Sequence, residues 1–407
     1  MASSWVPGAG TNREAMRRHN LATLLRHLHF DGPLSRATLT ARMGLTRSTI
    51  LGLVGELEAL GAVTETTPAG WRASAGRPSL DVRPAERQVV VLAAHIGADV
   101  VRAVTIGIGG RILSRADRGM PASSDPESVT SAVLDLLDQL ARALPEKTAL
   151  LGIGVSVPGM VGANEIVRSA PSLGWTDVPF AALLRAGMRR PVPLWIANDA
   201  DLGAFAEHSR GAGVGHDYMV FVGCDDLGVG GGVIVAGRPL RGVGGFAGEF
   251  GHLLINPRGR VCHCGARGCW ETEIGAVAVA AALGQSASNL ASLAEALGAV
   301  QKPSAALRNV GRYLGLGLGS IVNAFNPEII VLGGTLRELY PVVKADTDKA
   351  LRGTALGAPW EQVQVVLPKL GGDAVLIGAG EMAFEPMLDD PVGTLTKASR
   401  QPSLALR

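Results

Sequence analysis

Aromatic side chains are scarce: the 407 residues include 8 Phe, 6 Trp and 3 Tyr. That excludes the rows of stacking platforms on which many single-strand nucleic-acid binders rely. Long apolar runs are missing too, and the stretch from Val89 to Ala94 is far short of a membrane span, so no membrane partner is expected. The first ten residues lack a charged start followed by an apolar segment, which argues against a secretion signal and for the cytoplasm. Cysteine is limited to four residues, three of them within the window 262–269, which points to metal ligation rather than a disulfide framework. Net charge is only +2, too little to announce a nucleic-acid partner. Its distribution is more telling. Through Arg87 there are eleven Arg, no Lys and seven acidic residues, leaving a mildly basic first segment on a near-neutral body. Glycine, by contrast, is abundant at 54 residues, favouring tight turns and Gly-rich loops. The length suits two or three domains.

Residues 11–80 read as a winged helix-turn-helix. Leu21, Leu24, Leu25 and Leu28 recur at helical spacing behind Thr11 and Asn12 as caps, and Asp31-Gly32 ends the helix. A short second helix begins at Ser35 after Pro33. Gly44-Leu45 makes a tight turn, and Thr46 caps a third helix whose apolar stripe is Ile50, Leu53, Val54, Leu57 and Leu60. That stripe leaves Arg47, Ser48 and Thr49 facing outward at the helix N-terminus, from which a recognition helix reads base edges. Thr46, Arg47, Ser48 and Thr49 are therefore the candidate DNA contacts. A strand over 62–66 and a second strand after the turn at Pro68 to Gly70 form the wing. Beyond it Ala75-Gly76-Arg77-Pro78 places Arg77 in an extended arm, either reaching into a minor groove or merely solvated in a linker.

From about residue 88 to 386, apolar β-branched runs alternate with helical stretches, as in a mixed or parallel sheet covered by helices. Strands are expected at 89–94, 100–108, 150–157 and 218–222, an amphipathic helix at 128–144 and a Gly-rich turn at 228–232. His252, Cys262, Cys264 and Cys269 supply one imidazole and three thiolates. That set suits a tetrahedral, structural zinc ion with no open coordination position, and His263 is an alternative to His252. Residues 387–407, with two Pro and scattered Ser and Thr, are read as a flexible end.

The run from His252 through Glu271 resembles the zinc signature of the ROK family, which contains repressors and sugar kinases. Ile196-Ala197-Asn198-Asp199-Ala200, Asn323-Ala324-Phe325-Asn326-Pro327-Glu328 and Val331-Leu332-Gly333-Gly334 resemble further motifs of that family. The helix-turn-helix with Gly76-Arg77-Pro78 resembles its regulator branch. The resemblance implies an actin-like, hexokinase-like domain with a sugar between two α/β lobes. It assigns sugar contacts to Asn198, Asp199, Glu249, His252 and Glu271. Carboxylates and an amide suit the paired hydroxyls of a sugar. In the family's kinases the residue matching Asp199 is the general base.

The resemblance fails on the phosphate side. Where family kinases carry Asp-x-Gly-Gly-Thr, this chain has His95-Ile96-Gly97-Ala98-Asp99. The acidic side chain that orders Mg²⁺ is gone, and Asp99 repels phosphate. The second phosphate loop reads Asp226-Leu227-Gly228-Val229-Gly230, with Leu227 in place of a hydroxyl residue. Ser172 stands where the family commonly has Asn, and Leu51 and Gly52 where its regulators often carry Ser and Arg. The expectation is a non-enzymatic, sugar-responsive DNA-binding regulator, a homodimer or homotetramer on a pseudo-palindromic operator. Its rivals are a sugar kinase with an added DNA-binding domain, and a regulator that senses a sugar phosphate or a partner protein.

Overall fold

A computed structural model describes residues 12–67, 80–225, 228–285, 290–399 and 405–407. The first three helices are α1 (Arg13–Asp31), α2 (Arg36–Met43) and α3 (Arg47–Ala59). Each starts at a side chain that accepts from an otherwise unpaired backbone N–H: Asn12 for α1, Ser35 for α2 and Thr46 for α3. Gly44, at φ 64°, makes the sharp turn between α2 and α3 that a residue with a Cβ adopts only under strain. The wing is a three-stranded sheet in the order β1-β3-β2, built from β1 (Leu34–Ser35), β2 (Val63–Thr66) and β3 (Asp81–Pro84).

The wing corrects one expectation. The second long strand is β3, so the wing module extends past residue 80, and Gly76-Arg77-Pro78 falls between β2 and β3 rather than after the wing. Pairing of Leu34 with Val82 decides this, because a short strand ahead of α2 captures β3 at long range. Arg77 itself lies outside the described residues.

The body has two sheets. The first, in the order β11-β7-β4-β5-β6, comprises β4 (Val89–Ile96), β5 (Val100–Gly107), β6 (Ile112–Gly119), β7 (Ala149–Val157) and β11 (Leu194–Asn198). Helix α4 (Pro126–Arg142) packs on it, and β8 (Met160–Val161), β9 (Val167–Ala170) and β10 (Trp175–Val178) form a small side sheet, followed by α5 (Phe180–Ala186). Helix α6 (Asp199–Arg210) leads to the second sheet, ordered β14-β13-β12-β15-β16. Its strands are β12 (Met219–Asp225), β13 (Gly228–Val235), β14 (Arg238–Pro239), β15 (Ile329–Gly334) and β16 (Gln364–Val366). Helices α7 (Trp270–Ile274), α8 (Ala276–Leu283), α9 (Leu290–Gly298), α10 (Ala305–Phe325), α11 (Thr335–Thr354) and α12 (Gly357–Gln362) belong to this lobe. The chain returns to the first sheet through α13 (Ala374–Asp389) and α14 (Pro391–Ser399). Among the described residues no helix is long and apolar enough to cross a membrane.

Two further expectations change. The run 228–232 is strand β13, not a turn. Its glycines leave room for α6, since a Cβ on Gly232 would lie 2.5 Å from that of Ala204. The C-terminal segment is not a loose end. Helix α14 joins the core shared by α1 and α13, and Leu406 is fully buried beneath α4. The N–H groups of Leu406 and Arg407 donate to Asp138 Oδ1 at 2.7 and 3.0 Å. The polar composition of the segment hides these few anchoring contacts.

Glycine sets the layering between the lobes. A Cβ on Gly154 of β7 would sit 2.0 Å from Ala379 O of α13, and one on Gly378 of α13 would sit 2.0 Å from Leu202 O of α6. The order β7, α13, α6, β13 thus runs from one sheet to the other through contacts too close for any side chain.

Candidate functional site

The helix-turn-helix presents its recognition end to solvent. Thr46 Oγ1 accepts from Thr49 N–H at 3.2 Å and lies 2.9 Å from the hydroxyls of both Ser48 and Thr49. Arg47, Ser48 and Thr49 are all exposed, and Arg47 has no ion pair among the described residues. Other arginines of the module are engaged: Arg17 with Glu56 at 2.7 Å, Arg36 with Glu65, and Arg42 with Asp31. Ile50, Leu53, Val54 and Leu57 are buried against Leu21, Leu24, Leu25 and Leu28 of α1. The helix therefore has a fixed inner face and a free N-terminal turn, where its dipole favours a phosphate.

Of the sugar-side candidates, Asn198 and Glu249 line one pocket and Glu271 lines another, while Asp199 and His252 are in the lining of neither. One is lined by Asn198, Asp201, Glu249, Gly230, Gly231 and Met160, among others. The other, of about 260 Å³, is lined by Asp225, Gly228, Glu271, His263, Cys262 and Arg260, among others. Asn198 is the N-cap of α6: its Oδ1 accepts from Ala200 and Asp201 N–H at 2.8 and 3.2 Å, and its Nδ2 donates to Gly159 O at 2.8 Å. Most of its hydrogen-bonding capacity is committed to shaping the cleft floor. Asp199 Oδ1 accepts from Ala200 N–H at 2.8 Å. Burial, reinforced by the facing Asp225, holds its carboxyl well above the usual range. Burial, with a further push from Glu271, also raises Glu249.

Asp201 was not singled out from the sequence. It lies three residues after Asn198, so one turn of α6 carries it to the same cleft wall. Burial raises its carboxyl to about 7, with Glu249 adding and Arg241 opposing. Its proximity to the Asn198 cap was the available signal.

His252, Cys262, Cys264 and Cys269 place all four ligand atoms within 4.8 Å of one another. Cys264 Sγ and Cys269 Sγ are 3.6 Å apart, and His252 Nδ1 is 3.7 Å from Cys262 Sγ. A metal–sulfur distance of about 2.3 Å implies tetrahedral edges of roughly 3.8 Å, so the donors fit one four-coordinate ion. His263, the alternative ligand, has its Nδ1 2.8 Å from Glu271 Oε1 and 3.9 Å from Cys262 Sγ. With Glu271 and His252 it forms a second group of metal-ligating type. Burial and then the hydrogen bond to Glu271 push the Cys262 thiol upward. A bound cation would reverse that balance by favouring the thiolate.

Glu271 sits on α7, which is fixed by the buried Trp270 through its Nε1–H bond to Tyr313 O at 2.8 Å. The Cys-rich loop and the cleft are thereby coupled through one short helix. His95, which stands where the family's kinases carry the first acidic residue of the phosphate loop, lies near the end of β4 with Nδ1 3.1 Å from Ser156 Oγ. Burial, aided by Arg102, lowers it to about 4, so the ring is neutral at ordinary pH. A neutral imidazole there cannot replace the charge of a carboxylate toward Mg²⁺. Leu227, the other expected departure, lies outside the described residues.

The ROK family model matches residues 91–385. The xylose repressor of Bacillus subtilis is 28% identical over 383 residues, covering 92% of this chain and 97% of that protein. A glucokinase of Streptomyces coelicolor is 28% identical over 326 residues, covering 74% of this chain and 99% of its own length. Among solved structures, a ROK family transcriptional regulator described as a homologue of the Escherichia coli MLC protein aligns with a TM-score of 0.74. It has 23% identity and covers 94% of this chain and 99% of that one, a likeness of fold.

Proposed function

The chain belongs to the ROK family, and on that footing we infer that it is a sugar-responsive transcriptional repressor. The observation that carries the inference is one hydrophobic core running from the DNA-reading module into the cleft-bearing body. Leu24, Leu28 and Leu57 pack in the same cluster as Phe384, Met387 and Leu388 of α13. A DNA reader with its own separate core would need no such seam. Support also comes from the repressor relatives, which align along the helix-turn-helix as well as the body. The glucokinases align with 74% of the chain or less.

Asn198 shapes the cleft, while Asp199, Asp201, Glu249 and Glu271 accept sugar hydroxyls. This ring of carboxylates favours a neutral sugar over a sugar phosphate. D-xylose is the first ligand to test, given the function of the named relatives. The His252, Cys262, Cys264 and Cys269 set holds a structural zinc ion, which supplies rigidity to the loop that leads into α7 and Glu271. Arg47, Ser48 and Thr49 meet base edges, Thr46 holds the helix end, and Arg77 reaches the minor groove. Two copies on a two-fold operator fix the half-site spacing. The domain binds sugar without phosphorylating it, since a neutral His95 and Leu227 replace the metal- and phosphate-holding groups.

The test is fluorescence anisotropy on DNA from upstream of the gene, with and without D-xylose, D-glucose and their phosphates. A neutral sugar that changes operator affinity is expected. Sugar-dependent ADP release abolished by Asp199→Ala would instead make the protein a kinase. Tighter binding of a sugar phosphate would replace the neutral-sugar reading.

A further inference from the structure

The helix-turn-helix is fastened to the body across the interface between the two lobes. Helix α13 lies on the first sheet, with Gly154 of β7 against Ala379. Helix α6 lies on the second, with Gly232 of β13 against Ala204. The two helices touch where Gly378 meets Leu202, so any rotation of one lobe against the other is a displacement of α6 along α13. The N-terminal end of α6 bears Asn198 and Asp201, both lining the cleft pocket. Its last residue, about 18 Å away at 1.5 Å per residue, is Arg210.

Arg210 closes a buried cluster of three elements. Its Nε donates to Glu381 Oε1 of α13, and its Nη2 donates to His29 O of α1 at 3.1 Å. His29 Nε2 lies 2.7 Å from Glu381 Oε2, while His29 Nδ1 accepts from Gly109 N–H at 3.0 Å. Accepting at Nδ1 leaves the proton on Nε2, so His29 donates to Glu381 as a neutral ring. The His29 and Glu381 side chains are 0% and 1% exposed, and that of Arg210 is 12% exposed. A second attachment involves α13 alone: Arg26 of α1 pairs with Asp389 at 2.6 Å and Glu385 at 3.4 Å. Helix α1 is thus held by α13 at two places and by α6 only through Arg210 among the ion pairs and side-chain hydrogen bonds of the described residues.

We propose that Arg210 and Glu381 are positioning residues of the sugar response: they transmit lobe rotation from the sugar cleft, along α6, to helix α1 of the DNA-reading module. The proposal rests on the repressor reading above. When α6 shifts against α13, α1 cannot keep both sets of partners. Either the Arg210 link or the α13 links must give, and the module turns. A cluster fully satisfied in one arrangement and broken in another gives two discrete states rather than a gradual bend.

The experiment compares full-length wild type, Arg210→Met and the double variant Arg210→Met/Glu381→Gln. Three readouts are used: D-xylose affinity by calorimetry, operator affinity with and without D-xylose, and amide exchange of α1. The double variant leaves no unpaired buried carboxylate, and so remains informative if the single variant does not fold. Wild type is expected to change operator affinity roughly 5- to 150-fold on sugar binding. Both variants should bind D-xylose within about twofold of wild type, yet change operator affinity less than about twofold. Their α1 exchange should no longer respond to sugar. A variant that folds, binds sugar and keeps the wild-type response overturns the proposal, the cluster then being only structural. A wild type that binds D-xylose but shows no change in DNA affinity overturns the functional reading, and the proposal with it.

Discussion

Replacing Asp201 by asparagine should stabilise this protein, and more so at alkaline than at acid pH. The carboxyl is raised from 3.8 to about 7, by burial first, with Glu249 adding to the rise and Arg241 opposing it. An acid whose folded value lies above its unfolded value destabilises the native state once ionised. The penalty is absent below the unfolded value, grows between the two, and is complete above the folded one. At about 1.4 kcal/mol per tenfold change in proton affinity, a carboxyl at about 7 rather than 3.8 costs about 4 kcal/mol when ionised at pH 8. At pH 5.5 the folded group is neutral while the unfolded one is ionised, and about 2 kcal/mol remains. Asp201→Asn is close in volume and keeps the backbone N–H bond to Asn198. Urea denaturation of metal-loaded protein at the two pH values reads the difference. A gain that is equal at both, or a loss at pH 8, would refute the burial argument and show Asp201 to be solvated or fully paired with Arg241. A gain in stability with weaker sugar binding would mark Asp201 as a group whose burial is retained for ligand recognition.

Thr46→Ala removes the α3 cap and should cost about 1 kcal/mol in unfolding free energy, with weaker operator binding by anisotropy. Arg47→Ala should weaken DNA binding across sequences, lower the salt slope by about one phosphate contact and leave sugar affinity unchanged by calorimetry. Cys264→Ala breaks the four-donor set; elemental analysis should find bound zinc lost, and sugar binding should fall while DNA binding by the N-terminal module persists. Gly378→Ala drives a methyl group against Leu202 O. It should lower stability by roughly 1–3 kcal/mol, as overpacking does, measured by urea denaturation.

Much of this protein was legible because the governing physics is local. The caps at Asn12, Ser35 and Thr46, the turn at Gly44 and the apolar stripe of α3 are written in neighbouring residues, and the helix-turn-helix follows from them. The Cys and His spacing is likewise a local statement, because four soft donors in a short loop have few other uses. The missing acidic group at His95 is equally local, one residue in a short motif.

What remained hidden depends on long-range contact. Leu34 and Ser35 lie more than forty residues from the strand they meet, and only the folded sheet shows that β3 captures β1 and leaves Arg77 in the intervening segment. The C-terminal residues look like a solvated end until Leu406 finds its place under α4. The abundant glycines suggested turns and loops, yet Gly154, Gly378 and Gly232 are packing residues, each marking a spot where one backbone meets another. Composition records that a side chain is absent but not what fills its space. The cluster of His29, Arg210 and Glu381 makes the same point, since its members come from three distant parts of the chain. The modules and the donor sets they carry are read from residues near one another in the chain. That the modules share one core and meet at the lobe interface follows from the fold, because burial and close packing belong to pairs of surfaces, not to either segment alone.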